Sequence, residues 1–204
     1  MIVLAFIAGM VAVPLAIPLE QWVKAAFIDS PVLSVFTAWA LIEEVLKYLM
    51  AAAFIFWRPE VDEAPDYVIY MVTVALGFAA AENVLFLLTP AATGSVASTI
   101  YTGDVRFIGS TLLHVFASAA IGFALAFSDR ATLPLRMVAA GSGLILAVAL
   151  HTTFNALIIT EGTSTVLSAV FLVWTAAVTF FAAFEVLKFF QSDEPFINPN
   201  PRRI

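Results

Sequence analysis

Cysteine is absent from all 204 residues, which excludes disulfides, a thiolate nucleophile and any metal site built on thiolates. Charge is almost as scarce, at 12% of the chain where soluble domains carry about 25%. No basic run or aromatic-plus-basic patch is present, so nucleic acid is not an expected partner. The net charge of -6 is spread over loops and marks no other partner class. No Lys or Arg precedes Glu20, so the first apolar run lacks the basic flank of a signal peptide and reads as a span. Familiar catalytic patterns are missing too. There is no His-Glu-x-x-His zinc helix, no Gly-x-Ser-x-Gly elbow and no Gly-x-Gly-Asp within a span. Neither an internal repeat nor a boundary for a second domain is visible.

Apolar sequence fills the space these absences leave. Hydrophobic residues make up 62% of the chain, and the mean hydropathy is +1.01. That composition predicts an all-α, polytopic bundle of about six spans, a multi-pass integral protein of the cell membrane whose first partner is the lipid bilayer. The spans are expected over about 2–18, 31–57, 67–89, 107–127, 133–160 and 164–190. They form one transmembrane helical domain over 1–190, followed by a polar, proline-rich tail over 191–204. Pro14 and Pro18 interrupt the first run, and 21–30 reads as an amphipathic link. Trp57-Arg58-Pro59 closes the second as an interfacial stop, and 90–106 reads as a Ser/Thr/Gly loop. Placing both termini in the cytoplasm puts Arg58, Arg130, Arg136, Lys188, Arg202 and Arg203 inside, with only Lys24 and Arg106 outside. The excess of basic residues favours that orientation.

Against this background, Glu43, Glu44 and Lys47 interrupt an apolar span. Each ionisable group near a bilayer centre costs roughly 2.5–3.5 kcal/mol, so the three oppose insertion by about 7–10 kcal/mol before pairing. Glu43 and Lys47, four apart, share a helix face and offset part of this. Glu44 lies about 100° round the helix and is not expected to share that pairing. Further polar groups follow in other spans: Glu82 and Asn83, then His114, then His151 and Asn155. Measured by the helix rise, Glu43, Glu82, His114, His151 and Asn155 all fall roughly 8–18 Å below the outer surface. Four helices thus deliver their polar groups to one slab.

Each residue also has a structural reading. Glu43–Lys47 is a plausible intramembrane ion pair, a lone His114 on an apolar face is commonly a hydrogen-bonded packing residue, and His151 with Asn155 would serve to bridge helices. Gly141-Ser142-Gly143 reads as a close-packing seam, and Glu185 with Lys188 as solvated groups near a helix end. Glu82 has no basic neighbour on its own helix and resists such a reading. Taken together, the cluster suggests carboxylate-plus-imidazole activation of water, with lipid disfavouring and Lys47 favouring the charge on Glu43. Asn155 is a candidate donor to an oxyanion. The same two histidines with one or two glutamates would equally suit a zinc ion, so the cofactor is either none or one divalent metal, zinc foremost.

Four ordered motifs carry a family resemblance. Glu43-Glu44-Val45-Leu46-Lys47 resembles the Glu-Glu-x-x-Lys signature of the PrsW family of intramembrane proteases. Gly77-Phe78-Ala79-Ala80-Ala81-Glu82-Asn83 is similar to its Gly-Phe-x-x-x-Glu-Asn, Arg106 and His114 with Gly122 to its Arg…His…Gly, and His151-Thr152-Thr153-Phe154-Asn155 to its closing His-x-x-x-Asn. The acidic stretch from Pro59 to Tyr67, with Tyr70, resembles the family's loop before its third span. Met71 stands where that pattern would have glycine, and the region before residue 40 matches nothing diagnostic. The resemblance implies membership of the superfamily of CAAX-prenyl endopeptidases and bacteriocin-immunity proteins, with a helical core and a glutamate–histidine site. It implies Glu43 as base, with Glu44 beside it in the catalytic set, and His114 and His151 positioning water or, with Glu43, a metal. Asn155 would serve the oxyanion, and Lys47, Glu82, Asn83 and Arg106 would support the site. The implied partner is a membrane-anchored protein such as an anti-sigma factor, cut on the extracytoplasmic side. A proton-coupled transporter and a non-catalytic membrane scaffold are the competing readings.

Overall fold

The computed structural model describes residues 1–92, 96–159 and 163–192, with side chains described over 1–88, 109–158 and 167–190. Six α-helices and, among the described residues, no strands make up the chain: α1 (Ile2–Ala26), α2 (Val32–Phe54), α3 (Ala64–Ala92), α4 (Val96–Phe127), α5 (Leu133–Ile159) and α6 (Thr163–Ser192). Five of them, all but α2, include a stretch long and apolar enough to cross a membrane. At 23 residues α2 is long enough as well, about 34 Å at 1.5 Å per residue. Its three ionisable side chains set it apart, and it packs against α1, α3, α4 and α5 inside the bundle.

Two sequence readings need correction. Pro14 and Pro18 do not end the first helix, which continues through both to Ala26 and absorbs most of the expected link. Each proline removes only one backbone hydrogen bond, and membrane helices tolerate that loss where neighbours or local adjustment satisfy the freed carbonyl. The expected loop over 90–106 is also shorter, because α4 already begins at Val96. Ser and Thr have moderate helix propensity, and composition alone overstated their preference for loops. The tail beyond residue 192 and the side chain of Arg106 lie outside the described residues.

Small residues set the depth at which the helices meet. Ala5, Ala8, Gly9, Ala12, Val13 and Ala16 form a buried stripe on α1 at three- and four-residue spacing. Gly9 lies against the backbone of Val74 and Phe78, and Gly77 against the backbone of Phe6, so α1 and α3 approach without side chains between them. Gly122 does the same for α4 against Tyr67 and Val68 of α3. Of the expected Gly141–Gly143 seam only Gly143 packs closely, against Ala120, Ile121 and Ala124, while Gly141 meets nothing within 4 Å.

The ends of α2 and α3 show how the acidic loop is held. Trp57 Nε1 donates to Ala53 O at 2.7 Å and Arg58 Nε to Phe54 O at 2.8 Å, satisfying carbonyls left open where α2 stops. Asp66, in the first turn of α3, reaches back to accept from the backbone N–H groups of Asp62 (3.1 Å) and Glu63 (3.0 Å). Lys188 and Glu185 form an exposed pair at 2.9 Å on α6, as solvated groups near a helix end would.

Candidate functional site

Helical periodicity explains the arrangement on α2. Lys47 falls about 40° round the helix from Glu43 and about 60° from Glu44, so its ammonium lies between the two carboxylates. Contrary to the sequence reading, the tighter partner is Glu44: Lys47 Nζ is 2.8 Å from Glu44 Oε1 and 3.7 Å from Glu43 Oε2. An i,i+3 pair is as close on the helix surface as an i,i+4 pair, so angular separation round the helix does not exclude Glu44 from the pairing.

Glu44 is fully buried and fully satisfied. Its Oε1 accepts from Lys47 and from His151 Nδ1 at 2.9 Å, and its Oε2 from Ser118 Oγ at 3.0 Å. This selects the tautomer of the neutral His151 ring: Nδ1 carries the proton given to Glu44, and Nε2 then presents a lone pair. That lone pair faces Glu43 Oε2 across 3.8 Å.

His114 on α4 is held from both sides. Lys47 Nζ stands 2.7 Å from its Nδ1, and an ammonium can only donate, so Nδ1 accepts. The ring proton then lies on Nε2, which donates to Glu82 Oε2 at 3.0 Å. Ser110 Oγ donates to the same Glu82 oxygen at 3.3 Å. Asn83 Nδ2 donates to Thr111 Oγ1 at 3.2 Å, a link between α3 and α4 just beyond this cluster. Phe78 closes one wall: the Lys47 ammonium sits 4.3 Å from the centre of its ring, and the His114 ring packs beside it at 5.3 Å.

One atom at the centre has no such partner. Glu43 Oε2 is buried and makes no hydrogen bond. It stands 3.7 Å from Lys47 Nζ, 3.8 Å from His151 Nε2 and 3.9 Å from His114 Nδ1. The His114 and His151 rings meet edge to face at 5.0 Å on the other side of this gap.

The structure thus brings together Glu43, Glu44, Lys47, Glu82, His114 and His151 from α2, α3, α4 and α5. Asn83 lies at the periphery. Asn155 is half-buried one turn beyond His151 and, among the described residues, makes no hydrogen bond to the cluster. Several neighbours escaped the sequence reading. Ser118 is four residues after His114, and Ser110 four before it, so the face of α4 that holds the histidine carries both; helical spacing would have found them. Phe78 lies inside the Gly-Phe-x-x-x-Glu-Asn motif, where nothing in its residue type marks a place beside the ammonium. Glu20, half-buried on α1, is close enough to Glu43, Glu82 and Lys47 for their charges to act on it. Its only sequence signal was an acid near the end of an apolar run.

Glu43, His114 and His151 offer ligand atoms that all lie within 4.8 Å of one another, the residue types of a two-histidine, one-carboxylate metal site. Lone-pair accounting goes against that use. Both nitrogens of His114 are engaged, Nδ1 by Lys47 and Nε2 by Glu82. Only Glu43 Oε2 and His151 Nε2 remain open, two donors where catalytic zinc takes three from the protein. In this arrangement the residues do not fit a divalent ion.

Long apolar helices around a buried acid–imidazole–ammonium cluster define a multi-pass integral membrane protein with a polar site inside its bundle. The chain belongs to the PrsW family of intramembrane metalloproteases, whose pattern matches residues 1–184. It is 33% identical over 105 residues to Protease PrsW of Geobacillus kaustophilus (strain HTA426), a match spanning 50% of this chain and 43% of that protein. The chain thus covers less than half the length of this curated relative. No solved structure matches it.

Proposed function

We propose that this protein is an intramembrane endopeptidase that hydrolyses a peptide bond in a membrane-anchored protein, with Glu43 as general base. The observation that carries the reading is the buried Glu43 Oε2, which accepts no hydrogen bond, facing the open lone pair of His151 Nε2 at 3.8 Å. Two acceptors across such a gap repel each other unless a donor lies between them. A water about 2.8 Å from both would give one proton to each. Glu43 then takes a proton as the water oxygen attacks the substrate carbonyl, forming a tetrahedral intermediate, and later returns it to the leaving amide nitrogen. Glu44 holds His151 in the required tautomer, while Lys47 and Glu82 hold His114 beside it. The Asn155 amide, one turn from His151, is available to donate to the oxyanion.

The basic-residue count favours cytoplasmic termini, which would place the pocket in the outer half of the bilayer. The Protease PrsW similarity supports a protein substrate, and we place the cleavage on the extracytoplasmic side, with membrane-tethered anti-sigma factors as the class to try first. The test is cleavage of such substrates in liposomes by wild type and Glu43→Gln. Cleavage by wild type and its loss in the variant are expected; equal rates would remove Glu43 from the chemistry.

A further inference from the structure

We propose that Lys47 is the resident cation of this pocket: its ammonium occupies the His114 lone pair that a divalent metal would need, and so closes the site to zinc. The inference rests on the hydrolytic reading above and deepens it by specifying the cofactor requirement. Three observations carry it. Lys47 is fully buried, and Glu44 and His114 accept two of its three protons at 2.8 and 2.7 Å. The Phe78 ring, 4.3 Å away, and Glu43 Oε2, 3.7 Å away, flank the same ammonium, so it is surrounded by partners with no surface exposed. Its displacement is also costly, because it would leave Glu44, with an exposure of 0%, without its only cationic partner among the described residues.

A metal at Glu43, His114 and His151 would have to displace this ammonium from His114 Nδ1 and then remain close to it. Both steps are unfavourable: the first strands a buried charge, and the second sets two cations side by side. The excess of carboxylates over ammonium does draw positive charge towards the pocket. Lys47 answers that demand from within the chain, through a tether on the same helix as the acids it neutralises. Water bridging Glu43 and His151 is then the only nucleophile the donor set supports, and the ammonium 3.7 Å from Glu43 Oε2 supplies the local positive charge.

The test reads metal content directly, without substrate. Full-length wild type and Lys47→Met in detergent are stripped with chelator, equilibrated with zinc, freed of excess metal and assayed by elemental analysis. Wild type should hold less than about one-tenth of a zinc per chain and Lys47→Met about one, lost again when His151→Ala is added. Stoichiometric zinc in wild type that disappears with His151→Ala would overturn the proposal, as would a folded Lys47→Met that binds none. Should Lys47→Met fail to fold, a cobalt titration of stripped wild type decides alone. Tetrahedral Co(II) absorption that saturates at one ion per chain refutes the proposal, and its absence upholds it. Either result leaves the role of Glu43 to the separate cleavage test, so failure of one reading is not mistaken for failure of the other.

Discussion

Glu43 and Glu44 are adjacent in sequence and both buried, yet conversion of each to glutamine should have opposite consequences. Glu44 accepts three hydrogen bonds, from Lys47, His151 and Ser118, at 2.8, 2.9 and 3.0 Å. In Glu44→Gln these lose the carboxylate charge, and a bond to a charged group contributes about 1.5–3 kcal/mol against about 0.5–1.5 for a neutral one. Three bonds losing about 1 kcal/mol each, partly offset because Glu43 remains 3.7 Å from Lys47, give a destabilisation of about 2–3 kcal/mol. Glu43→Gln removes a carboxylate whose inner oxygen makes no hydrogen bond, and the desolvation it relieves opposes the attraction it forfeits. Its stability should stay within about 1 kcal/mol of wild type while cleavage falls by about 10²–10⁴. Reversible unfolding by SDS in mixed micelles, followed by circular dichroism, measures the first quantity, and liposome cleavage the second. The reasoning fails if Glu44→Gln unfolds within about 0.5 kcal/mol of wild type, or if Glu43→Gln loses more than about 3 kcal/mol.

Three further outcomes follow from the same geometry. Ser118→Ala leaves Glu44 Oε2 without its donor and should cost about 1–3 kcal/mol by the same unfolding assay, whereas Ser142→Ala, on an exposed α5 face, should be neutral. Gly77→Leu drives a side chain into the Phe6 backbone and should destabilise by more than the roughly 1–3 kcal/mol typical of overpacking, because backbone cannot move aside as a side chain can; an unchanged melting temperature would contradict the α1–α3 contact. Asn155→Ala should leave stability within about 0.5 kcal/mol yet lower cleavage by about 10²–10³, and a variant with normal turnover would take Asn155 out of the oxyanion role.

Much of the architecture could be read from hydropathy alone, since six apolar runs became six helices. The failures were local and have a common cause. Proline and Ser/Thr/Gly content were read as breaks by rules calibrated for water, whereas α1 runs through Pro14 and Pro18 and α4 begins at Val96. At the site, residue type announced Glu43, Glu82, His114 and His151 because each is costly in lipid. The division of labour between Glu43 and Glu44 was not legible, for it depends on which partners on α4 and α5 reach which oxygen. Serine is common in membrane helices, so only its bond to Glu44 distinguishes Ser118 from a packing residue. Phe78 was hidden in the same way: an aromatic among aromatics, distinguished only by the ammonium above it.

The buried ammonium also bears on how the chain is made. The ligands that complete its surroundings lie far downstream: His114 is 67 positions after Lys47, and His151 is 107 after Glu44. When α2 leaves the ribosome, neither exists yet. Its charges can then be neutralised only within the helix, and the segment gains its full tolerance for lipid once α4 and α5 have been synthesised and docked. Biogenesis is therefore coupled to assembly of the site, and truncation before His151 should leave α2 poorly held in the bilayer even though every residue of that helix is present.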